Sequence, residues 1–200
     1  PDRSGTVAFT ITATDSQGGV TTKTVNLTIA PVNDAPTIST VAKRTTDEDT
    51  STGAIGFTIG DIDTDVSTCT VTAVSDNETL VPNTADHIQL GGSGAGRTVT
   101  LLPALNQTGS ANITLTVSDG SLSAQSTFTL TVNPVNDAPA ITAIPDTTID
   151  EDTVAGPIQF TVTDVDNTAG ELTVTAATDN TAMVPRANIV LSSIASDGTC

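Results

Sequence analysis

The feature that most constrains this chain is an internal repeat with a period of 103 residues. The hexapeptide that begins at Pro31 recurs at Pro134, and the tetrapeptide that begins at Asp47 recurs at Asp150. A fixed period of this length is the signature of tandem domains of about 100 residues. Two further pairs of segments keep the same offset: Asp61-Ile62-Asp63 with Asp164-Val165-Asp166, and Leu80-Val81-Pro82 with Met183-Val184-Pro185.

The repeat predicts three segments along the chain. Residues 31–133 contain one complete repeat, and we expect them to form a whole domain. Residues 1–30 match the end of a repeat, because residues 5–15 align with residues 109–119. We therefore expect residues 1–30 to be the C-terminal hairpin of a truncated repeat. Residues 134–200 match the beginning of a repeat and are expected to be the N-terminal part of another truncated one.

Alternation of apolar and polar residues predicts β-strands within the complete repeat. A period of two is typical of half-buried antiparallel strands, and no segment shows the 3.6-residue period of a helix. Turn-forming pairs such as Asp119-Gly120 separate the alternating runs. About seven short strands in about 100 residues predict an all-β fold, a Greek-key β-sandwich repeated in tandem. The strands are expected at residues 37–40, 55–59, 69–73, 88–90, 99–101, 113–117 and 128–132.

Charge and composition exclude several function classes. The chain has 6 basic and 23 acidic residues, a formal net charge of −17 at pH 7. This balance excludes nucleic-acid binding through a basic face and disfavours docking on anionic lipid. No run approaches the roughly 20 apolar residues that membrane insertion needs. With a single His, the chain offers no catalytic constellation, and we expect no enzymatic activity.

The motifs at the repeat boundary resemble the end of a cadherin repeat. Residues 13–19 form an Ala-Thr-Asp turn, a strand follows, and residues 32–36 then read Val-Asn-Asp-Ala-Pro. Glu48 stands where cadherins carry the glutamate of their Pro-Glu-Asn element, and Asp61 and Asp63 stand where they carry Asp-x-Asp. The resemblance covers the whole chain and is closest to the cadherin-like and immunoglobulin-like tandem repeats of large bacterial surface proteins. It implies an extracellular or cell-surface location and a part in cell adhesion.

The same resemblance implies calcium, since cadherins bind Ca²⁺ with these acidic residues and so stiffen the junctions between repeats. Physical chemistry points the same way. Calcium takes six to eight oxygen ligands, and clustered carboxylates repel one another without a cation. At the first junction the expected ligands are Asn33, Asp34, Asp61, Asp63 and Asp119. At the second junction they are Glu48, Asn136, Asp137, Asp164 and Asp166.

The sequence also departs from the cadherin pattern. Pro31 and Pro134 replace the first aspartate of the cadherin linker, and the Asp-Arg-Glu position holds Asn106-Gln107-Thr108. Several strong ligands are therefore missing from each junction. We expect fewer or weaker calcium ions than in animal cadherins, with affinities in the millimolar range of extracellular modules.

These observations predict a calcium-binding spacer or stalk module of an adhesin-type protein. Its direct partners would be the neighbouring repeats of the same chain, and other parts of the parent protein would bind cell-surface or matrix ligands. Two alternatives stay open. One is a module that itself binds a glycan or a protein, which an apolar surface patch would favour but the absence of Trp and Tyr disfavours. The other is an accessory domain of a secreted enzyme.

Overall fold

The computed structural model describes residues 2–200 and divides into two compact units, Pro1–Pro134 and Val135–Cys200. The second unit begins one residue after the predicted start of the third segment. The first unit contains both the predicted hairpin and the complete repeat. Neither of the two helices among the described residues, each of three residues, is long and apolar enough to cross a membrane.

The described residues of the first unit form ten β-strands. They are β1 (Gly5–Thr14), β2 (Val20–Ile29), β3 (Thr37–Ile38), β4 (Arg44–Asp47), β5 (Ile55–Gly60), β6 (Thr70–Ser75), β7 (Ile88–Ser93), β8 (Gly96–Leu101), β9 (Gly109–Ser118) and β10 (Ser123–Asn133). β1 and β2 pair only with each other. The other eight form two four-stranded sheets, in the orders β4-β10-β9-β6 and β3-β5-β8-β7.

The two four-stranded sheets enclose one hydrophobic core, which confirms the predicted all-β sandwich. β5 and β8 contribute from one sheet, and β9 and β10 contribute from the other. Along β9, Ile113, Leu115 and Val117 are fully buried, whereas the threonines between them reach solvent. Burying each such side chain stabilises the fold by roughly 1.5–3 kcal/mol. The period-two alternation in the sequence is therefore the inward and outward alternation of the pleated strand.

The sequence pattern did not predict β4. This strand pairs in parallel with β10, with Arg44 opposite Leu130 and Asp47 opposite Asn133. Its residues Arg-Thr-Thr-Asp contain no apolar alternation, so the usual strand signal is absent. Backbone pairing with the edge of β10 fixes this segment, because its side chains have little apolar surface to bury.

The second unit has less regular structure. Its described strands are β11 (Ala140–Ile141) and β12 (Val162–Thr163), which pair antiparallel. Short 3₁₀ turns follow at Ala169–Glu171 and Arg186–Asn188. Val162 is buried, and residues 172–176, which alternate like β6, lie outside any strand.

Candidate functional site

All five residues predicted for the first junction lie in one hydrogen-bonded group, here called the first linker cluster. The side-chain amide of Asn33 donates to Asp119 Oδ2 at 2.8 Å and to the carbonyl of Asp34 at 3.0 Å. The backbone N–H of Asp34 donates to Asp63 Oδ2 at 2.8 Å, and the N–H of Asp63 donates to Asp61 Oδ1 at 2.8 Å. The linker is thus tied to two separate loops of the sandwich.

Asp61 lies directly after β5 and is held by its own turn. Its Oδ1 accepts hydrogen bonds from the backbone N–H groups of Asp63 and Thr64, at 2.8 and 2.7 Å. This is the local pattern by which aspartate stabilises a turn. Its Oδ2 is buried and has no hydrogen-bond partner. A buried carboxylate oxygen without a partner is costly, and a cation beside it would remove that cost.

Asp119 closes β9 and completes the first linker cluster from the other sheet. Its Oδ1 accepts from the backbone N–H groups of Ser121 and Leu122, at 2.6 and 2.7 Å. The amide of Asn33, followed by those backbone N–H groups, holds the pKa of the Asp119 carboxyl below its usual value. Donors that stabilise the charged form lower a carboxyl pKa, so these hydrogen bonds favour the ionised form of Asp119.

The second unit repeats the same arrangement in what we call the second linker cluster, formed by Asn136, Asp137, Asp164 and Asp166. The N–H of Asp137 donates to Asp166 Oδ2 at 2.6 Å, and the N–H of Asp166 donates to Asp164 Oδ1 at 2.9 Å. Asn136 donates to the carbonyl of Asp137 at 2.6 Å. The Oδ2 atoms of Asp164 and Asp137 are buried without a hydrogen-bond partner. The motif therefore produces the same geometry twice.

Glu48, predicted for the second junction, lies in the first unit. Its side chain is 6% exposed, and its backbone N–H donates to the carbonyl of Asn133 at 2.9 Å. Asn133 ends β10, whereas Asp119 precedes the start of that strand. Glu48 therefore lies at the opposite end of the sandwich from the first linker cluster.

The two aspartates beside Glu48 have structural contacts that the sequence did not indicate. Asp47 Oδ1 accepts from the side-chain amide of Asn133 at 3.2 Å. Asp49 adopts a left-handed backbone with φ of 56°, and its Oδ1 accepts from the N–H of Asn106 at 2.9 Å. The Asp-Glu-Asp motif thus fixes the turn after β4 against two neighbouring segments.

Both clusters offer the carboxylate and amide oxygens that cations such as calcium bind, but these oxygens do not form a closed cage. A shallow cleft of about 240 Å³ lies at the linker and is lined by Asp34 and Asp63 together with Arg3. Within residues 2–200, no three His, Cys, Asp or Glu side chains form a group that could hold a metal ion. Each carboxylate oxygen that accepts one N–H retains further lone pairs. A cation would offset the cost of the buried, unpartnered Oδ2 atoms of Asp61, Asp137 and Asp164.

The remaining reactive side chains serve the fold. His87 Nδ1 lies 2.8 Å from the carbonyl of Leu102. Cys69 is a free, buried thiol, and burial raises its pKa, so it packs as a small apolar residue. Cys200 is also free.

Residues 33–133 match the family model described as the bacterial Ig domain. The chain belongs to this family. The match covers half of the chain and lies within residues 31–133, the complete repeat defined by the internal period. Membership confirms the predicted immunoglobulin-like β-sandwich and the resemblance to repeats of bacterial proteins.

Several solved structures resemble this bacterial Ig domain chain. The endo-fucoidan hydrolase MfFcnA4 from glycoside hydrolase family 107 has 18% identity and a TM-score of 0.41, over 81% of this chain and 32% of that one. The titin domains Z1Z2 in complex with telethonin have 16% identity and a TM-score of 0.41, over 68% and 67% of the two chains. A chimeric titin Z1Z2 has 19% identity and a TM-score of 0.39, over 52% and 99%. The chain spans about a third of the hydrolase. No curated protein matches it.

Proposed function

We propose that this bacterial Ig domain chain is a non-catalytic spacer of an extracellular, cell-surface protein, in which calcium at the linker clusters stiffens the junctions between repeats. One observation carries the proposal. Asp61 and Asp164, which are 103 residues apart, each have a buried Oδ2 without a hydrogen-bond partner. The same unsatisfied oxygen at equivalent positions of two repeats supports a shared ligand.

Calcium is the cation that suits these atoms. It prefers carboxylate and carbonyl oxygens and tolerates irregular coordination, which loops readily supply. A net charge of −17 attracts cations to the chain as a whole. In the first linker cluster, the carboxylates of Asp61, Asp63 and Asp119 are not grouped closely enough to hold an ion together, so binding would have to draw them inward. Asn33 and Asp34 would supply oxygens from the linker.

The mechanical consequence follows from where these residues lie. Asn33 and Asp34 precede β3, whereas Asp61 follows β5 and Asp119 follows β9. An ion shared among them would hold the linker against two loops of the domain. Without it, mutual repulsion among the carboxylates would loosen that attachment.

Thermal unfolding of the chain in calcium and in chelator tests the proposal. A ligand that binds only the native state stabilises it by RT ln(1 + [L]/Kd), which is about 1.4 kcal/mol at a tenfold excess over Kd. For a domain of this size we expect the midpoint to rise by roughly 5–10 °C in calcium. Asp61→Asn should remove most of the increase for the first unit.

Asp86→Asn is the matched control, because it removes one negative charge from an exposed loop outside the first linker cluster. It should leave the calcium-dependent increase intact. An unfolding midpoint that is the same in calcium and in chelator would contradict the proposal. Equal loss of the increase in both variants would contradict it too, because only general charge would then be involved.

A further inference from the structure

The sandwich of the complete repeat has two different kinds of edge. On one side its sheets end at β3, which has two residues, and at β4, which contains the charged residues Arg44 and Asp47. On the other side they end at β6 and β7, which have six residues each and contain neither a charged residue nor a proline. Short or charged edges discourage pairing with a further strand, whereas longer uncharged edges permit it. The side formed by β6 and β7 is therefore the one to which another strand can be added.

The backbone of β6 presents hydrogen-bonding groups along its outer edge. The side chain of Asn83 marks this edge, because its Oδ1 accepts from the N–H of Ser75 at 2.7 Å and its Nδ2 donates to the carbonyl of Ser75 at 3.1 Å. Alternate residues of an antiparallel strand direct their backbone groups to the same side, so those of Val71 and Ala73 also point outward. Among the described strands β6 pairs only with β9. The edge at Val71 and Ala73 is thus open to an added strand.

An apolar groove, here called the β6–β7 groove, lies between these two edge strands. Its walls include Val71 and Ala73 from β6 and Ile88 and Leu90 from β7. Leu90 pairs with the fully buried Val99 and so faces the core, yet it is 42% exposed. Two clefts of about 250 and 130 Å³ lie along the groove, and both are lined by Val71 and Leu90. The core is therefore uncovered at this edge, with room for side chains of an added strand.

Arg97 gives the smaller cleft a positive charge. It lines this cleft together with Phe57 and Val71. Its Nη2 donates to the carbonyl of Val66 at 3.1 Å, whereas its Nε is buried without a hydrogen-bond partner. None of the described residues that line the two clefts is acidic, although the chain has a net charge of −17. A guanidinium with an unused donor in a cleft without acidic residues favours a carboxylate as its ligand.

We propose that the β6–β7 groove binds an extended peptide segment of a partner protein, which pairs with β6 and carries an apolar residue followed two positions later by Asp or Glu. In this mode of recognition, main-chain hydrogen bonds hold the peptide and pockets select its alternate side chains. Directly opposite residues of an antiparallel pair share a face. The peptide residue opposite Ala73 enters the larger cleft beside Ile88. The residue opposite Val71, two positions later, meets Arg97.

The charge of the chain favours a separate partner over a second copy. Two copies each carry a net charge of −17, and this repulsion opposes their association. A segment with a single carboxylate meets less repulsion and gains the contact with Arg97. The groove contains no residue of either linker cluster, so this binding is independent of calcium.

Fluorescence anisotropy with a labelled peptide tests the proposal. The probe is Ser-Thr-Ile-Thr-Asp-Thr-Ser, added to the 200-residue chain in chelator, and the comparison peptide has Asn in place of Asp. We expect saturable binding of the Asp peptide and binding of the Asn peptide that is weaker by about tenfold or more, because a charge-assisted hydrogen bond is lost. Arg97→Gln should make the two affinities equal. Arg44→Gln is the matched control, since it removes one positive charge from the opposite edge of the sandwich and should leave both affinities unchanged.

Two substitutions in β7 test the groove itself. Leu90→Glu places a charge in the groove and should abolish binding. Gln89→Glu adds the same charge to the opposite face of the same strand and should leave binding intact. Hydrogen exchange should show that the Asp peptide protects the amides of Val71 and Ala73 in the native chain and in Gln89→Glu, but not in Leu90→Glu. Circular dichroism of each variant checks that the sandwich remains folded.

Three results would overturn the proposal of a peptide-binding groove. One is the absence of saturable binding of the Asp peptide. Another is equal affinity of the native chain for the Asp and Asn peptides, or binding that leaves Val71 and Ala73 unprotected. The third is self-association of the chain, measured by sedimentation velocity, that Leu90→Glu abolishes, because a second copy would then occupy the groove.

Discussion

Leu27 and Leu130 allow a controlled measurement of what burial contributes to this fold. Both are leucines, they occupy equivalent positions 103 residues apart, and they pair in the same register with Val7 and Ala111. Leu130 is 0% exposed within the core, whereas Leu27 is 48% exposed. Replacing each leucine with alanine deletes the same atoms from the same strand position, so the two substitutions differ only in what surrounds the side chain.

The expected costs differ several-fold. Leu130→Ala removes transfer free energy and leaves a cavity between two sheets, so the free energy of unfolding should fall by about 2–5 kcal/mol. For a sandwich of about 100 residues, a loss of about 3 kcal/mol lowers the midpoint by roughly 10–20 °C. Leu27→Ala leaves no enclosed cavity, and it should cost well under about 1 kcal/mol.

Far-UV circular dichroism with urea, or calorimetry, is the appropriate assay because the chain has no Trp and no Tyr to report by fluorescence. Equal destabilisation by the two substitutions would mean that burial of Leu130 in the core does not account for the stability of the complete repeat.

Two further outcomes are expected. Asn33→Ala should raise the pKa of Asp119, because the Asn33 amide is the main donor that lowers it, and carbon NMR of the Asp119 carboxyl group measures the change. In the native chain, the lowered pKa of Asp119 stabilises the fold at pH values above the ordinary pKa of 3.8. This stabilisation is lost as the pH falls through the lowered pKa. An unchanged pKa in Asn33→Ala would contradict this. Gly92→Ala should destabilise the first unit by about 1–3 kcal/mol in urea unfolding, because Gly92 has φ of 84° and an added Cβ would lie 2.7 Å from Arg97 Cα. Gly96→Ala, with open space around it, should be close to neutral, and equal effects would refute the steric argument.

The sandwich could be predicted because its central strands alternate apolar and polar residues, as strands with one face in the core require. Ile113, Leu115 and Val117 alternate in the sequence and face the core in the structure. β4 could not be predicted in this way, because the pairing of Arg44–Asp47 with β10 depends on backbone hydrogen bonds between segments far apart in sequence. Local periodicity contains no information about such a partner.

The candidate site was predictable to a similar extent. The resemblance to cadherin repeats, together with the acidic residues at the ends of the repeat, indicated the residues of the first linker cluster, and the structure brings all five into one hydrogen-bonded group. The roles of Asp47 and Asp49 were not predictable, because their partners Asn133 and Asn106 come from distant loops. The left-handed backbone of Asp49 also leaves no local sequence signal, since aspartate is common in ordinary turns.

Equilibrium dialysis counts the calcium ions that the chain binds and so shows whether both linker clusters are calcium sites. The two linker clusters predict calcium bound at two places in the 200-residue chain, with Asp61→Asn removing one and Asp164→Asn removing the other. Both substitutions remove one of the unpartnered buried oxygens and one negative charge. Asp86→Asn should leave the number of bound ions unchanged. If Asp61→Asn and Asp164→Asn retain the same bound calcium as the native chain, or if the native chain binds none at millimolar concentrations, the linker clusters are not calcium sites.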